Sequence, residues 1–353
     1  MRTMIIGGGS NSAVGKAHIA AIKMCGKFNI VAAAFSRHTE VNFQSKEEYG
    51  LDDVDVECDY RILIQRWKKE LDCIVILTPT TSHFEVLAYA LENTDTLVIV
   101  EKPLTHSIAT TNNLKRLDES MTKNVFVIAN YLGYPMLSHM KECLDENLIG
   151  RILHVNLIMP QEGFIRSVNG SIPNIQKWRL NDDSDITKLS LDLGIHLYSL
   201  IDYFFDSKLL DIRTFASSSG KFVKCIDNVT SILKFDDFIM NLWYSKIAFG
   251  HRNGLTLEIY GSEGSLVWKQ NTPDEVRFTH SDGSIELVDR SNITDLKDFY
   301  LFKPGHPAGF VEALSNHYTD ILDYRINHNQ RVFDFERSVK GMEFLGLIEK
   351  SMR

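Results

Sequence analysis

Runs of consecutive apolar residues alternate with helical patterns over the first 130 residues of the chain. The predicted strands are Thr3–Gly7, Asn29–Phe35, Leu71–Leu77, Thr96–Val100 and Val125–Ala129. Between them, segments such as Gly15–Met24 and His83–Glu92 place their apolar residues at helical spacing. Continuously apolar strands between helices are typical of a parallel sheet that is covered on both faces. The pattern predicts an α/β dinucleotide-binding domain over residues 1–130.

The pattern changes after Asn130, where strands with alternating apolar and polar residues appear. These predicted strands are Arg151–Met159, Ile212–Ser217, Ser231–Phe235, Phe238–Tyr244, Thr256–Tyr260 and Ser265–Trp268. The last two flank the turn Gly261–Gly264 and predict a hairpin. Helices are predicted at Tyr134–Asn147, Ser190–Phe205, Gly309–Asn327 and Asp334–Met352. Residues 131–353 are therefore predicted to form an α+β domain with a mostly antiparallel, open sheet.

Composition narrows the class of protein. A chain of 353 residues with 44% hydrophobic and 24% charged residues fits two globular domains. The net charge of −8 argues against a surface that binds nucleic acid. No apolar segment approaches the roughly 20 residues that a membrane span requires, so we expect no membrane partner.

The five cysteines are odd in number and form no C-x-x-C pair. This argues against a disulfide framework and against a zinc knuckle, and we expect reduced thiols in a cytoplasmic protein. The start of the chain lacks the pattern of a signal peptide. No third ligand accompanies Asp192 and His196, so no metal site is predicted.

A glycine-rich segment, Gly7-Gly8-Gly9-Ser10-Asn11-Ser12-Ala13-Val14-Gly15, lies between the first strand and the first helix. Glycines at this position let the backbone approach a pyrophosphate at the N-terminus of a helix. The spacing departs from G-x-G-x-x-G, because five residues separate the last two glycines. A plain strand–helix turn is the alternative interpretation. The predicted cofactor contacts here are Gly7, Gly9, Ser10, Asn11 and Ser12.

The residues at the end of the second strand indicate whether the protein prefers NAD or NADP. An acidic residue at this point selects the free 2′-hydroxyl of NAD, whereas arginine accommodates the 2′-phosphate of NADP. The chain has Ser36 and Arg37 there, with no acid before Glu40. This favours NADP over NAD, with Ser36 and Arg37 as the phosphate contacts. A solvated surface arginine is the competing interpretation.

Four further motifs follow in order along the chain. They are Thr78-Pro-Thr-Thr-Ser-His83, Glu101-Lys-Pro-Leu104, Asp192-x-Gly-x-His196 after Lys177-Trp-Arg-Leu180, and Leu257-Glu-Ile-Tyr-Gly-Ser-Glu-Gly264. This ordered set resembles the glucose–fructose oxidoreductase/inositol dehydrogenase (Gfo/Idh/MocA) family from about Met4 to Met352. The widened glycine loop and Pro304-Gly-His306-Pro307 are similar to a branch of predicted dehydrogenases whose substrates are poorly defined.

The resemblance implies a Rossmann domain and a second domain whose open sheet often mediates homodimers or homotetramers. It also implies NAD(P)-linked oxidation or reduction of a sugar, nucleotide sugar, cyclitol or related alcohol. Hydride transfer from an alcohol needs a base for the hydroxyl proton, and His196 suits this role because the imidazole group ordinarily titrates near neutral pH. Asp192 lies four residues earlier on the same helix face and is expected to orient His196 or to bind substrate. Lys102 is expected to stabilise the developing alkoxide.

Other residues are expected to line the site. Predicted cofactor contacts are Thr78, Thr80, His83, Glu101, Lys102 and Asn130, and predicted substrate contacts are Tyr131, Trp178 and Arg179. His83 as a helix cap and Tyr131 as a buried aromatic are the alternatives. His306 is placed either in the site or in a surface loop.

Two other functions remain open at this point. One is a sensor that binds NAD(P) without turnover, although a pure binding protein does not need the acid–base groups Lys102, Asp192 and His196. The other is a member that retains its cofactor and cleaves a glycosidic bond through transient oxidation.

Overall fold

The computed structural model describes residues 1–167, 184–222, 225–293, 301–307, 309–327 and 331–352. The chain divides into two compact units, each described below by itself. The first unit contains Met1–Gly133 and Phe310–Met342, and the second contains Tyr134–Gly309 and Glu343–Arg353. None of the described helices is long and apolar enough to cross a membrane.

Strands and helices are numbered in chain order. The strands of the described residues are β1 (Arg2–Gly7), β2 (Asn29–Ala34), β3 (Asp55–Val56), β4 (Cys73–Leu77), β5 (Leu97–Val100), β6 (Val125–Val127), β7 (Ile152–Pro160), β8 (Leu209–Ser217), β9 (Asn228–Phe235), β10 (Ile239–Ser245), β11 (Thr256–Gly261), β12 (Gly264–Lys269), β13 (Thr272–His280), β14 (Ile285–Asp289) and β15 (Phe333–Asp334). The α-helices are α1 (Gly15–Cys25), α2 (Thr39–Glu48), α3 (Tyr60–Trp67), α4 (His83–Asn93), α5 (Ile108–Leu114), α6 (Glu119–Thr122), α7 (Pro135–Asp145), α8 (Ile195–Phe204), α9 (Phe310–Asn327) and α10 (Phe335–Ser351).

The first unit contains a seven-stranded sheet in the order β15-β6-β5-β4-β1-β2-β3. The strands β1 to β6 pair in parallel, and only the short β15 runs antiparallel to its neighbour. All of the residues of β4, β5 and β6 are buried, as their continuously apolar sequences predict. The predicted Rossmann-type sheet is confirmed, and the carboxyl ends of its parallel strands share one edge.

Helix α9 belongs to the first unit, although residues 131–353 are assigned to the second domain by sequence. It packs against α1, and Leu314, Tyr318 and Ile321 join the apolar core on this side of the sheet. An amphipathic pattern shows that a helix buries one face, but it does not identify the sheet that receives that face. The chain therefore returns to the first unit after completing most of the second.

The second unit contains an eight-stranded sheet in the order β14-β13-β12-β11-β7-β10-β9-β8. Its pairs are antiparallel except for β7 with β10, so the predicted mostly antiparallel sheet is confirmed. Buried and exposed residues alternate along β9, which leaves one face of the sheet open at this strand. The predicted hairpin is β11–β12. The sequence did not predict β13 or β14, because β13 is rich in polar residues and no residue of β14 is buried.

The segment between β5 and β6 contains two short helices. Helix α5 ends at Leu114, and Asp118 then begins the short α6 by accepting a hydrogen bond from the Ser120 backbone N–H. Aspartate is favoured at the N-cap position because its carboxylate accepts a hydrogen bond from a backbone N–H that has no partner within the helix.

Candidate functional site

The glycine-rich segment folds into a tight loop between β1 and α1. Gly7 has φ of +85°, a conformation that side-chain-bearing residues rarely adopt. A Cβ on Gly15 would lie 2.0 Å from the carbonyl oxygen of Gly8, so the loop contacts the helix backbone directly. Ser12 Oγ accepts from the backbone N–H groups of Val14 and Gly15, both at 3.3 Å. The three residues added to the standard spacing therefore close onto the helix N-terminus and leave the cradle intact.

Two residues of the α2 region support this loop, and sequence reasoning missed both. Ser45 Oγ accepts from the Ser10 backbone N–H at 2.8 Å, and the Tyr49 hydroxyl donates to the Gly8 carbonyl oxygen at 2.9 Å. Burial raises the pKa of Tyr49, so its hydroxyl stays protonated as a donor. No local sequence pattern predicts these two hydrogen bonds, because the partners are 35 and 41 residues apart.

The turn after β2 is shaped by a buried asparagine. The Asn42 side chain accepts from the Ser36 N–H at 3.0 Å and donates to the Ser36 carbonyl oxygen at 2.6 Å. Ser36 Oγ accepts from the His38 N–H at 3.2 Å, which tightens the turn further. Arg37 is exposed between these two anchored residues. The backbone of the turn is thus fixed while the guanidinium of Arg37 faces solvent.

The Glu101-Lys102-Pro103 segment follows β5, and its Lys102–Pro103 peptide bond is cis. The Glu101 N–H donates to the Ile76 carbonyl oxygen at 2.9 Å, which continues the pairing of β4 with β5. Glu101 Oε1 lies 3.2 Å from His18 Nε2. Lys102 is partly exposed just beyond this anchored glutamate.

His83 joins the loops that follow β4 and β5. It is buried, with Nδ1 2.9 Å from the Pro103 carbonyl oxygen and Nε2 2.9 Å from the Thr78 carbonyl oxygen. Burial lowers the pKa of His83, so the ring is neutral and donates to one oxygen at a time. Both ring nitrogens face backbone oxygens, so His83 positions the two loops, and its direct contact with the cofactor stays a prediction.

Unpaired polar atoms lie at the carboxyl ends of two strands. Among the described residues, Thr78 Oγ1 after β4 and Asn130 Nδ2 after β6 are buried without a hydrogen-bond partner. Such atoms cost free energy unless a ligand or water satisfies them. Together with the glycine cradle after β1, they fit a dinucleotide that extends along this edge. Thr80, which is also a predicted cofactor contact, is partly exposed in the 3₁₀ turn Thr80–Ser82.

Helix α9 holds the segment that carries Asn130. Asn316 Nδ2 donates to the Gly133 carbonyl oxygen at 3.0 Å, and His317 Nε2 accepts from the Ala129 N–H at 3.0 Å. Neither residue is marked by any motif in the sequence. Their contacts fix the backbone on both sides of Asn130.

We expect the burial of His317 to make the protein less stable in acid. Burial lowers the pKa of His317 to about 4, whereas an unfolded histidine has a pKa near 6.5. The unfolded chain then binds more protons between these values, so stability present above about pH 6.5 is lost as the pH falls toward 4. The loss at pH 5 is about 2 kcal/mol relative to pH 7.

Urea unfolding at pH 7 and pH 5 measures this loss. His317→Gln retains an acceptor for the Ala129 N–H and does not titrate, so its stability should fall by about 2 kcal/mol less than that of the wild type over this interval. Equal losses in the two proteins would contradict the assignment.

In the second unit, Asp192 lies on the π-helical turn Ser190–Gly194 immediately before α8. Its carboxylate accepts a hydrogen bond from the ammonium of Lys246, which is 6% exposed and lies over the ring of Phe164 at 5.3 Å. The sequence did not identify Lys246, because a single lysine at a strand end carries no motif.

His196 lies in the first turn of α8 and is buried, with its carbonyl oxygen accepting from Ser199 Oγ at 2.8 Å. The preceding turn is fixed by Glu349 Oε1 of α10, which accepts from the hydroxyls of Thr187 and Ser190 at 2.8 Å each. Irregular π-helical turns are frequent at functional sites. Here the turn sets the spacing of Asp192 and His196.

The remaining predicted residues divide into two groups. Tyr131 is buried at 3% exposure in the 3₁₀ turn Asn130–Gly133, and His306 is exposed while its carbonyl oxygen accepts from buried Arg290. Trp178 and Arg179 lie outside the described residues. No group of three or more His, Cys, Asp or Glu side chains in the described part of the chain is arranged to hold a metal ion.

Comparison with known proteins identifies the chain at the level of its family. A family profile described as an oxidoreductase family with an NAD-binding Rossmann fold matches residues 1–129, and the profile of the GFO/IDH/MocA C-terminal domain matches residues 137–267. The chain belongs to the Gfo/Idh/MocA oxidoreductase family. It is accordingly an NAD-binding oxidoreductase, as its strand order, glycine loop and Glu101-Lys102-Pro103 turn indicate.

Gfo/Idh/MocA relatives share most of the chain. The uncharacterized oxidoreductase YfiI of Bacillus subtilis is 28% identical over 290 residues, which cover 79% of this chain and 72% of the relative. The crystal structure of an oxidoreductase from Sinorhizobium meliloti is 25% identical with a TM-score of 0.83, covering 99% and 97% of the two chains. An inositol dehydrogenase homolog from Azotobacter vinelandii, solved with NADH and myo-inositol, is 22% identical with a TM-score of 0.86, covering 99% and 95%.

Proposed function

We propose that this protein is an NAD(P)-dependent dehydrogenase or reductase that acts on the CH–OH group of a sugar, nucleotide sugar or cyclitol-like alcohol. One observation carries the proposal. The glycine cradle after β1, the unpaired Thr78 hydroxyl after β4, the Glu101-Lys102-Pro103 turn after β5 and the unpaired Asn130 amide after β6 share the carboxyl edge of one parallel sheet. Open α/β sheets bind their ligands at this edge.

Acid–base groups supply the rest of the chemistry. In the oxidation direction, His196 takes the proton from the substrate hydroxyl, and the Lys102 ammonium donates a hydrogen bond to the oxygen as negative charge develops. Asp192, which pairs with Lys246, orients His196 or holds a substrate hydroxyl. A nicotinamide dinucleotide held by the glycine cradle, Thr78 and Asn130 would supply the acceptor for the hydride. In the reduction direction His196 returns the proton.

The substrate class rests on the family and on the Azotobacter vinelandii homolog, whose complex contains myo-inositol. A polyol offers several hydroxyls that a carboxylate, an imidazole and an ammonium can bind. The direct test is a screen of cyclitols, sugars and nucleotide sugars for a change in absorbance of the reduced nicotinamide, with NAD and NADP in parallel. Cofactor binding without turnover of any compound would overturn the enzymatic proposal and favour a sensor.

We further propose that the protein prefers NADP. Ser36 and Arg37 replace the acidic residue that reads a free 2′-hydroxyl, and Asn42 fixes their backbone so that the Arg37 guanidinium is presented at the surface. We expect Arg37→Ala to weaken NADP binding about tenfold, because a charge-assisted contact with phosphate is lost, while NAD affinity changes less than twofold. Calorimetric titration with both cofactors measures this. An unchanged preference in the variant would contradict the role of Arg37.

We propose a homo-oligomer formed through the open sheet face of the second unit. Phe215, Ile232 and Ile239 are 63%, 49% and 46% exposed on neighbouring strands of this face, which is the exposure that a second copy would cover. Light scattering of the wild type and of Phe215→Asp tests the proposal, since a monomeric wild type would refute it.

We also propose a cytoplasmic location, which the five free cysteines support. Fractionation of the source cells would check it.

A further inference from the structure

A buried histidine of α1 links the helix that follows the glycine loop to the Glu101-Lys102-Pro103 turn. His18 is 1% exposed, with Nδ1 2.8 Å from the Tyr318 hydroxyl of α9 and Nε2 3.2 Å from Glu101 Oε1. Tyr318 is fully buried, and its ring packs edge-on against His18 and Phe28. Three segments far apart in sequence therefore meet at His18.

The surroundings of Tyr318 and His18 determine which atom donates in each of these two hydrogen bonds. Burial raises the pKa of Tyr318 well above its ordinary value, so the phenol keeps its proton and donates it to His18 Nδ1. With Nδ1 as the acceptor, the proton of the ring lies on Nε2, which donates to Glu101 Oε1. The other tautomer would turn the lone pair of Nε2 toward a carboxylate, which is repulsive. Tyr318 therefore selects the tautomer that suits Glu101.

We propose that His18 and Tyr318 are positioning residues that hold the Glu101 carboxylate in the orientation that accepts a hydrogen bond from a hydroxyl of the bound dinucleotide. A glutamate side chain has three rotatable bonds, so an unrestrained Glu101 would lose conformational entropy each time the cofactor binds. The hydrogen bond from His18 restricts these rotations before binding. The inference rests on the proposed function, because it requires that a nicotinamide dinucleotide binds this unit.

Two substitutions of His18 separate positioning from simple packing. Glutamine places its amide near the position of Nε2 and retains a donor for Glu101, whereas asparagine reaches only the position of Nδ1. We expect the dissociation constant of the cofactor to stay within about threefold of the wild type in His18→Gln and to rise about tenfold in His18→Asn. Tyr318→Phe keeps the aromatic ring but removes the hydroxyl that fixes the tautomer of His18. This variant should weaken cofactor binding about threefold.

The experiment is calorimetric titration of the full chain with NAD and NADP, with melting temperatures measured on the same samples. A role in packing alone predicts that cofactor affinity falls in proportion to stability and that glutamine and asparagine behave alike. In a Glu101→Ala background, which removes the acceptor of the His18 hydrogen bond, His18→Asn should change affinity less than twofold, because His18 acts through Glu101. An additive loss in the double variant would overturn the inference.

The remaining outcomes are also informative. If His18→Asn does not fold, Tyr318→Phe and His18→Gln carry the same comparison, and wild-type affinity in Tyr318→Phe would refute the role of the phenol. If the wild type binds neither NAD nor NADP, the proposed function itself fails, and the inference fails with it. A wild type that binds cofactor and a His18→Asn variant that binds it equally well would refute the inference alone.

Discussion

Replacing Lys102 by alanine is expected to lower kcat about a thousandfold for the alcohol substrate that the screen identifies. The ammonium is proposed to donate to the oxygen on which negative charge develops, and loss of one such donor costs about 10²–10³ in rate. The scaffold of the turn stays in place, because His83 and Glu101 hold it through other contacts. Cofactor affinity should therefore change only a few-fold. Steady-state kinetics and calorimetric titration of the purified variant measure both quantities.

The matched control is Lys69→Ala, which removes an exposed lysine of the same unit and should leave kcat unchanged. His196→Ala tests the proposed base in the same assay and should lower kcat about 10²–10⁴-fold at neutral pH. Full activity in both Lys102→Ala and His196→Ala would rule out the proposed acid–base chemistry.

Replacing Gly15 by alanine is expected to abolish tight cofactor binding. The added Cβ would lie 2.0 Å from the Gly8 carbonyl oxygen, and backbone atoms at that distance cannot yield without displacing the loop. Alanine favours a helix over glycine by about 1 kcal/mol, but overpacking costs about 1–3 kcal/mol and acts directly on the phosphate cradle. We expect the dissociation constant of the cofactor to rise at least about a hundredfold.

Gly163→Ala serves as the control, since a Cβ there meets no atom within 4 Å. It should leave both cofactor affinity and melting temperature near the wild-type values. Wild-type affinity in Gly15→Ala would mean that the loop does not hold the dinucleotide in the way we propose.

Local patterns account for most of the first unit. Five continuously apolar strands, each followed by a helix or turn signal, predict the parallel sheet because period and burial are properties of neighbouring residues. The Glu101-Lys102-Pro103 and Asp192-x-Gly-x-His196 motifs likewise depend on spacing alone. The sequence therefore determines the fold class, and it predicts the edge of the sheet and the acid–base residues on which the proposed function depends.

Only the tertiary structure decides which distant residues support those motifs. The His18–Tyr318 contact joins residues 300 positions apart, and the Lys246–Asp192 pair joins residues 54 positions apart. It also decides that α9 packs on the first sheet and that both ring nitrogens of His83 face backbone oxygens. Such contacts depend on how buried faces meet, and the periodicity of one segment carries no information about the partner that covers it.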